Sequence, residues 1–249
     1  SSLSGQIVSA KFTTSQVFNS TNYLTLNGAN ESDVHMMKNI EWGAVAYLKQ
    51  SKYGLEKTDI GINNNDNGIT GCGAITGSSY STACNAYNTA IGMLASTTGN
   101  VTGVYDMSGG VSEHVMGVMQ DDTSVRSPLS GGNINQNSGY IGKMGMLSPG
   151  NPDSGNTLAF PDAKYYDLYA YASNHSADDY TRSHLGDATG ETSGWYSDDA
   201  YFVSSSNPWF LRGGYIINGD SAGVFFFDGT AGESYDDVGF RVVLSTTGA

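Results

Sequence analysis

Charge is scarce in this chain: of 249 residues only 14 % are charged, and 11 basic side chains face 24 acidic ones for a net charge of −13. A field of that sign repels phosphate backbones and anionic lipid surfaces, so nucleic acid is excluded as an expected partner. Long apolar runs are missing as well. None approaches the ~18 residues that a membrane-spanning helix requires, and no membrane insertion of this segment is expected. The opening Ser1-Ser2-Leu3 carries no basic-then-apolar signal stretch. The expectation is either a mature soluble chain or one whose anchor has been trimmed.

Cysteine is almost absent too, and its two copies, Cys72 and Cys84, share one Gly/Ser-rich stretch. A bridge there would clamp a loop that buries little apolar surface and would contribute roughly 3 kcal/mol. Two unrelated free thiols are the alternative; titration with and without reductant distinguishes them. Histidine is sparse too: His35, His114, His175 and His184 show no repeated metal-ligand spacing, and neither a Gly-x-Ser-x-Gly elbow nor a phosphate loop is expected.

What the chain does have is Gly (33 residues) and Tyr (16), with much Asn, Ser and Thr. That composition suits a rigid, loop-rich extracellular, cell-surface or virion protein rather than a helical cytosolic enzyme. With no internal linker, one domain over 1–249 is expected.

In order, residues 7–26 read as edge or hairpin strands. Ser32 to Ser51 reads as the best helix, with Val34, Met37, Glu41, Val45 and Leu48 on one stripe, Gly54 as the stop and His35 on its solvent side. Asn63 to Gly68 reads as a turn. The segment 98–117 reads as strand, Ser108-Gly109-Gly110 turn, strand; adjacency of Glu113 and His114 on a strand sends them to opposite faces and argues against an acid/base pair. Residues 120–156 form a polar excursion. Tyr165, Tyr166, Tyr169 and Tyr171 pack rings inward, His184 to Thr189 makes a helical turn, and Asp198 to Val203 makes a strand.

Near the end, Pro208-Trp209-Phe210-Leu211-Arg212-Gly213-Gly214 and Gly239-Phe240-Arg241-Val242-Val243-Leu244 bracket an interior, Tyr215 to Val238, that has neither a period of two nor one of 3.6. Loop-rich surface held by a fixed frame is where binding usually resides. Core strand is the competing reading, above all for Val224, Phe225 and Phe227, which alternate with an outward Phe226.

The order Val104-Tyr105-Asp106-Met107-Ser108-Gly109-Gly110, then Trp209-Phe210-x-Arg212-Gly213-Gly214, then Gly239-Phe240-Arg241 resembles the formylglycine-generating (sulfatase-modifying) branch of the C-type lectin fold. The closer resemblance is to the variable proteins of diversity-generating retroelements, which share the fold and that terminal frame. The resemblance implies an α+β chain with small antiparallel sheets, two or so helices and long loops. It also implies a ligand-binding segment at about 211–238, rewritten by a reverse transcriptase at adenines.

Asn codons randomised at adenine cannot yield Met, Trp, Lys, Gln or Glu. Leu211, Tyr215, Ile216, Ile217, Asp220, Ser221, Phe226, Asp228, Thr230, Ala231, Ser234, Tyr235, Asp236, Asp237 and Val238 obey that restriction, and Glu233 does not. On this reading those residues face a ligand, while Trp209, Arg212, Gly213, Gly214, Gly239, Phe240 and Arg241 are scaffold.

The expected function is therefore recognition of a macromolecular receptor, protein or glycan, without catalysis and without a cofactor, although structural calcium is compatible with the resemblance. A sugar-binding lectin is the alternative. The formylglycine-generating oxidase is disfavoured, since its copper site needs thiolates near the C-terminal motif and no cysteine follows Cys84. Ser112 and His114 also stand where that enzyme has aromatics.

Overall fold

The computed structural model describes residues 5–6, 8–16, 33–54, 56, 74–75, 79–80, 86–119, 162–172, 181–204, 207–232 and 235–245. The expected Asn63–Gly68 turn, the 120–156 excursion, Cys72, Cys84 and His175 lie outside them.

A mixed sheet organises the chain around one central strand, β4 (Ser112–Met119). One edge of β4 pairs antiparallel with β6 (Trp209–Arg212), which pairs antiparallel with β7 (Phe227–Thr230). The other edge is shared: β8 (Val238–Phe240) lies parallel to its first half and β5 (Asp167–Tyr169) parallel to its second. The small sheets are thus not all antiparallel. A separate antiparallel ribbon joins β1 (Asp33–Met36) to β9 (Val242–Ser245), and a short one joins β2 (Ala74–Ile75) to β3 (Ser79–Tyr80).

Every residue of β4 is buried. Strands covered on both faces lose the polar alternation of half-exposed ones, so Ser112, Glu113 and His114 are interior despite their polarity. The two faces carry separate cores. Val115, Met119, Phe210 and Phe227 join Trp42, Tyr169, Phe202 and Phe225 on one; Met116, Val118, Trp209 and Phe240 join Val8, Phe12 and Tyr166 on the other.

Helix α1 (Val8–Ser15) covers the second face, where strands were expected over residues 7–26. Its inward residues, Val8, Lys11, Phe12 and Ser15, have helical spacing. Two of the four are polar, which hides the stripe from a hydrophobicity reading.

The expected helix over Ser32–Ser51 is really β1, then α2 (Asn39–Ala46), then a 3-10 turn (Tyr47–Gln50). The buried stripe of α2 is Asn39, Trp42, Gly43 and Ala46. Glu41 instead closes the helix start, accepting from the Lys38 N–H at 2.8 Å. Gly43 lets the helix touch backbone: a Cβ there would lie 2.1 Å from the Gly186 carbonyl oxygen. His35 is buried, not solvent-facing, and holds Glu41 at 2.8 Å.

Elsewhere, Tyr169 is fully buried while Tyr171 is exposed. The strand expected before the Ser108-Gly109-Gly110 turn is reduced to an isolated bridge between Ser96 and Tyr105, and that expected over Asp198–Val203 to a bridge between Ala200 and Phe227.

Candidate ligand-binding face

Both ends of the 211–238 segment meet at one residue of β4. Glu113 stands opposite Arg212 of β6 on one side and opposite Gly239 of β8 on the other. The segment therefore leaves and re-enters the sheet around a common strand.

Its first bracket is fixed by Arg212, whose guanidinium is fully buried. It donates to the Ala188 carbonyl at 2.7 Å and to Asn39 Oδ1 at 3.2 Å, and lies over the Trp42 ring at 5.6 Å. Burial lowers its pKa to about 10. Asn39 in turn donates to the Tyr169 hydroxyl, which donates to Asp187 Oδ2, each at 2.8 Å. These bonds pair Asn39, Tyr169 and Asp187 beneath the sheet, as burial demands, while Arg212 Nε is left without a hydrogen-bond partner.

Gly213 and Gly214 follow at φ +82° and +74°, a conformation that side chains disfavour. The carbonyl of Gly213 accepts from the Gly109 N–H at 2.8 Å, docking the Ser-Gly-Gly turn onto the Trp-Phe-x-Arg-Gly-Gly bracket.

Arg241 fixes the second bracket. It donates to Glu113 Oε2 at 2.6 Å, to the Tyr105 carbonyl at 3.0 Å and to the Asp106 carbonyl. Burial still raises Glu113 to about 7 against the pull of Arg241. Behind it, Lys11 Nζ reaches the Val238 carbonyl at 2.7 Å and His114 Nδ1 at 2.9 Å. Burial lowers Lys11 to about 7, with Glu113 and Asp237 opposing, and keeps His114 neutral. The N-terminal stretch also straps the end of the segment, Gly5 N–H donating to the Tyr235 carbonyl at 2.9 Å and Val8 N–H to the Gly232 carbonyl at 3.2 Å.

Between the brackets the segment divides. Tyr215 is half-buried and enters a 3-10 turn, Ile216–Ser221. The turn is closed by Asn218 Oδ1, which accepts from the Tyr215 N–H at 2.6 Å. The side chains of Ile216, Ile217 and Asp220, and all of Glu233 and Ser234, lie outside the described residues. Leu211, Ser221, Asp228, Ala231 and Asp237 are half-buried, and Tyr235 and Asp236 are exposed.

Three of the expected ligand-facing residues are interior. Phe226 is 3 % exposed because residues 222–226 form a turn folded inward and not a strand, so Val224 and all three phenylalanines are buried without alternation. Its ring packs at Gly214, where an added Cβ would lie 3.2 Å away. Thr230 stands opposite Trp209, and Val238 begins β8 beside Ser112. Their burial removes Phe226, Thr230 and Val238 from any outward face.

The inward turn has an organiser that motif reading passes over. Asp198, buried, accepts from the Phe225 N–H at 2.9 Å, and its carboxylate fills the space a Cβ of Gly223 would need. Burial raises its pKa to about 7, opposed by the Phe225 N–H and Arg212. No sequence signal marks this pairing of residues 25 positions apart.

Contrary to the expectation that the chain lacks it, Gly219-Asp220-Ser221-Ala222-Gly223 has the Gly-x-Ser-x-Gly spacing of hydrolase nucleophiles. Such an elbow sits between strand and helix. Ser221 instead ends a 3-10 turn, is followed by extended Ala222, and bonds the Asp199 carboxylate rather than an imidazole. Among the described residues no three His, Cys, Asp or Glu side chains converge as a metal site would require.

No protein-family model matches the chain, and no curated protein is detectably similar to it in sequence.

Proposed function

We propose that this is a ligand-binding protein of the diversity-generating retroelement kind, built on a C-type lectin scaffold and presenting a variable C-terminal surface to a macromolecular receptor at a cell or virion surface. The observation that carries the reading is the joint anchoring of the segment at Glu113. A single buried strand fixes both ends, while Leu211, Tyr215, Ser221, Asp228, Ala231, Tyr235, Asp236 and Asp237 between them keep solvent contact. Substitution at the exposed Tyr235 and Asp236 would change what the surface recognises with little effect on folding, since exposed changes away from special features cost within about 0.5 kcal/mol. Tyrosines there offer large contact area with few rotatable bonds, as in antibody paratopes.

The scaffold role falls to Trp209, Arg212, Gly213, Gly214, Gly239 and Phe240, all buried, and to Arg241.

Sequencing the gene neighbourhood and many copies of the locus tests the proposal. Expected are a reverse transcriptase gene, a near-copy of the segment differing at adenines, and diversity at the eight solvent-contacting positions that spares the scaffold. Uniform diversity across scaffold and surface, with no such copy nearby, would overturn it.

A further inference from the structure

The parity of side chains along the sheet shows which residues share the side away from the Trp42 core. Ala200 bridges Phe227 in parallel, with the Tyr201 N–H donating to the Phe227 carbonyl at 2.9 Å and the Phe227 N–H to the Asp199 carbonyl at 3.1 Å. Paired residues point to the same side of a sheet and their neighbours to the other. Ala200 and Phe227 both turn into the Trp42 core. Asp199 and Tyr201 therefore turn to the opposite side, together with the cross-strand partners Leu211 and Asp228.

That is the side on which α1 packs, but α1 is committed to Trp209, Met116, Val118 and Phe240. Beyond it Leu211, Asp228 and Asp199 are half-buried and Tyr201 is 46 % exposed. Among the described residues α1 does not extend over this strip, whose leucine and two carboxylates keep partial and whose tyrosine keeps ample solvent contact. Ser221 holds Asp199 in place through its hydroxyl.

We propose that Asp199 and Tyr201, outside the 211–238 segment, form a constant wall of the binding face beside Leu211 and Asp228, and that the partner is a basic protein segment inserting a Lys or Arg between these carboxylates and the Tyr201 ring. The inference rests on the binding reading above. Charge complementarity selects the partner: a chain of net charge −13 steers cations toward itself. Carboxylates bind guanidinium in a bidentate fork, and a phenol face attracts the same cation. A neutral glycan would gain stacking on the ring but nothing from the field.

The test is selection of random peptides on the whole chain, followed by affinity measurement on variants. Enrichment of Lys and Arg is expected. Selected peptides lose about tenfold or more in affinity, equivalent to about 1.4 kcal/mol, on Asp199→Asn and on Tyr201→Ser. Binding also weakens at about 0.5 M salt, where charges are screened within a few ångströms. Melting temperature controls for folding; should Asp199→Asn lower it by releasing Ser221, the Tyr201→Ser arm decides.

Unchanged affinity in both variants, with binding lost on joint Tyr215→Ser and Tyr235→Ser replacement, overturns the constant wall and leaves the binding reading standing. Indifference to both pairs overturns both. Peptides without Lys or Arg, no enrichment, or capture of a neutral oligosaccharide instead overturns the basic partner.

Discussion

Asp198 and Gly223 interlock: the carboxylate of the first occupies the place where any side chain on the second would begin, 2.0 Å from the position of a Cβ. Gly223→Ala must expel that carboxylate from a buried site and strip the Phe225 N–H of its acceptor. Overpacking of this kind costs about 1–3 kcal/mol and a lost buried hydrogen bond about as much. The expected loss, about 2–4 kcal/mol in denaturant unfolding, should shrink when Asp198→Ala is added. A fully additive double variant would mean that the two residues act independently.

Stability should pass through a minimum near neutral pH on account of three buried groups. Asp198, raised from 3.8 to about 7, and Glu113, raised from 4.5 to about 7, hold protons in the fold that the unfolded chain has released. Their contribution is complete below about pH 4 and is lost as pH rises to about 7. Lys11, lowered from 10.5 to about 7, works the other way: stability rises as pH climbs from about 7 to 10.5. It bonds His114 Nδ1, and the charges of Glu113 and Asp237 oppose the lowering that burial imposes on it. In melting curves against pH, Asp198→Asn should flatten the acid limb and Lys11→Met the alkaline one.

Arg212→Met would leave Asn39 Oδ1 and the Ala188 carbonyl without their buried donor. Removing one partner of a buried charged network costs about 3–5 kcal/mol. Arg212→Lys should recover only part of this, because an ammonium cannot serve both acceptors from the same place. Urea midpoints for the three proteins check the ranking.

Phe226→Ala and Tyr235→Ser should separate folding from recognition. The first opens a cavity in the inward turn and is expected to cost about 3–5 kcal/mol. The second changes an exposed ring and should leave the melting temperature within a degree or two of the parent, since surface changes are worth within about 0.5 kcal/mol. Equal losses in the two variants would place Tyr235 in the core after all.

The brackets were readable because aromatic, arginine and glycine residues in fixed order have few uses outside a frame, and Arg212, Gly213 and Arg241 do anchor the chain there. What escaped reading has a common physical origin: interior polarity. Helix α1 turns Lys11 and Ser15 inward, β4 buries Glu113 and His114, and His35 hides behind Glu41. Lys11, Glu113 and His114 meet partners more than 100 positions away, which no window of residues contains, whereas Ser15 bonds the Phe12 carbonyl and His35 meets Glu41 close by in sequence. Phe226 was misread for a different reason: alternation applies to strands, and residues 222–226 are a turn.

Because Glu113 neighbours Arg212 on one side and Gly239 on the other, the span between those two residues is a loop whose closure is already enforced by β4. Lengthening its outer stretch between Gly232 and Val238 adds little closure entropy, doubling such a length costing only about 0.6 kcal/mol, although the Gly5 bond to the Tyr235 carbonyl would have to re-form. A grafted longer loop between Gly232 and Val238 should therefore still close on the same frame.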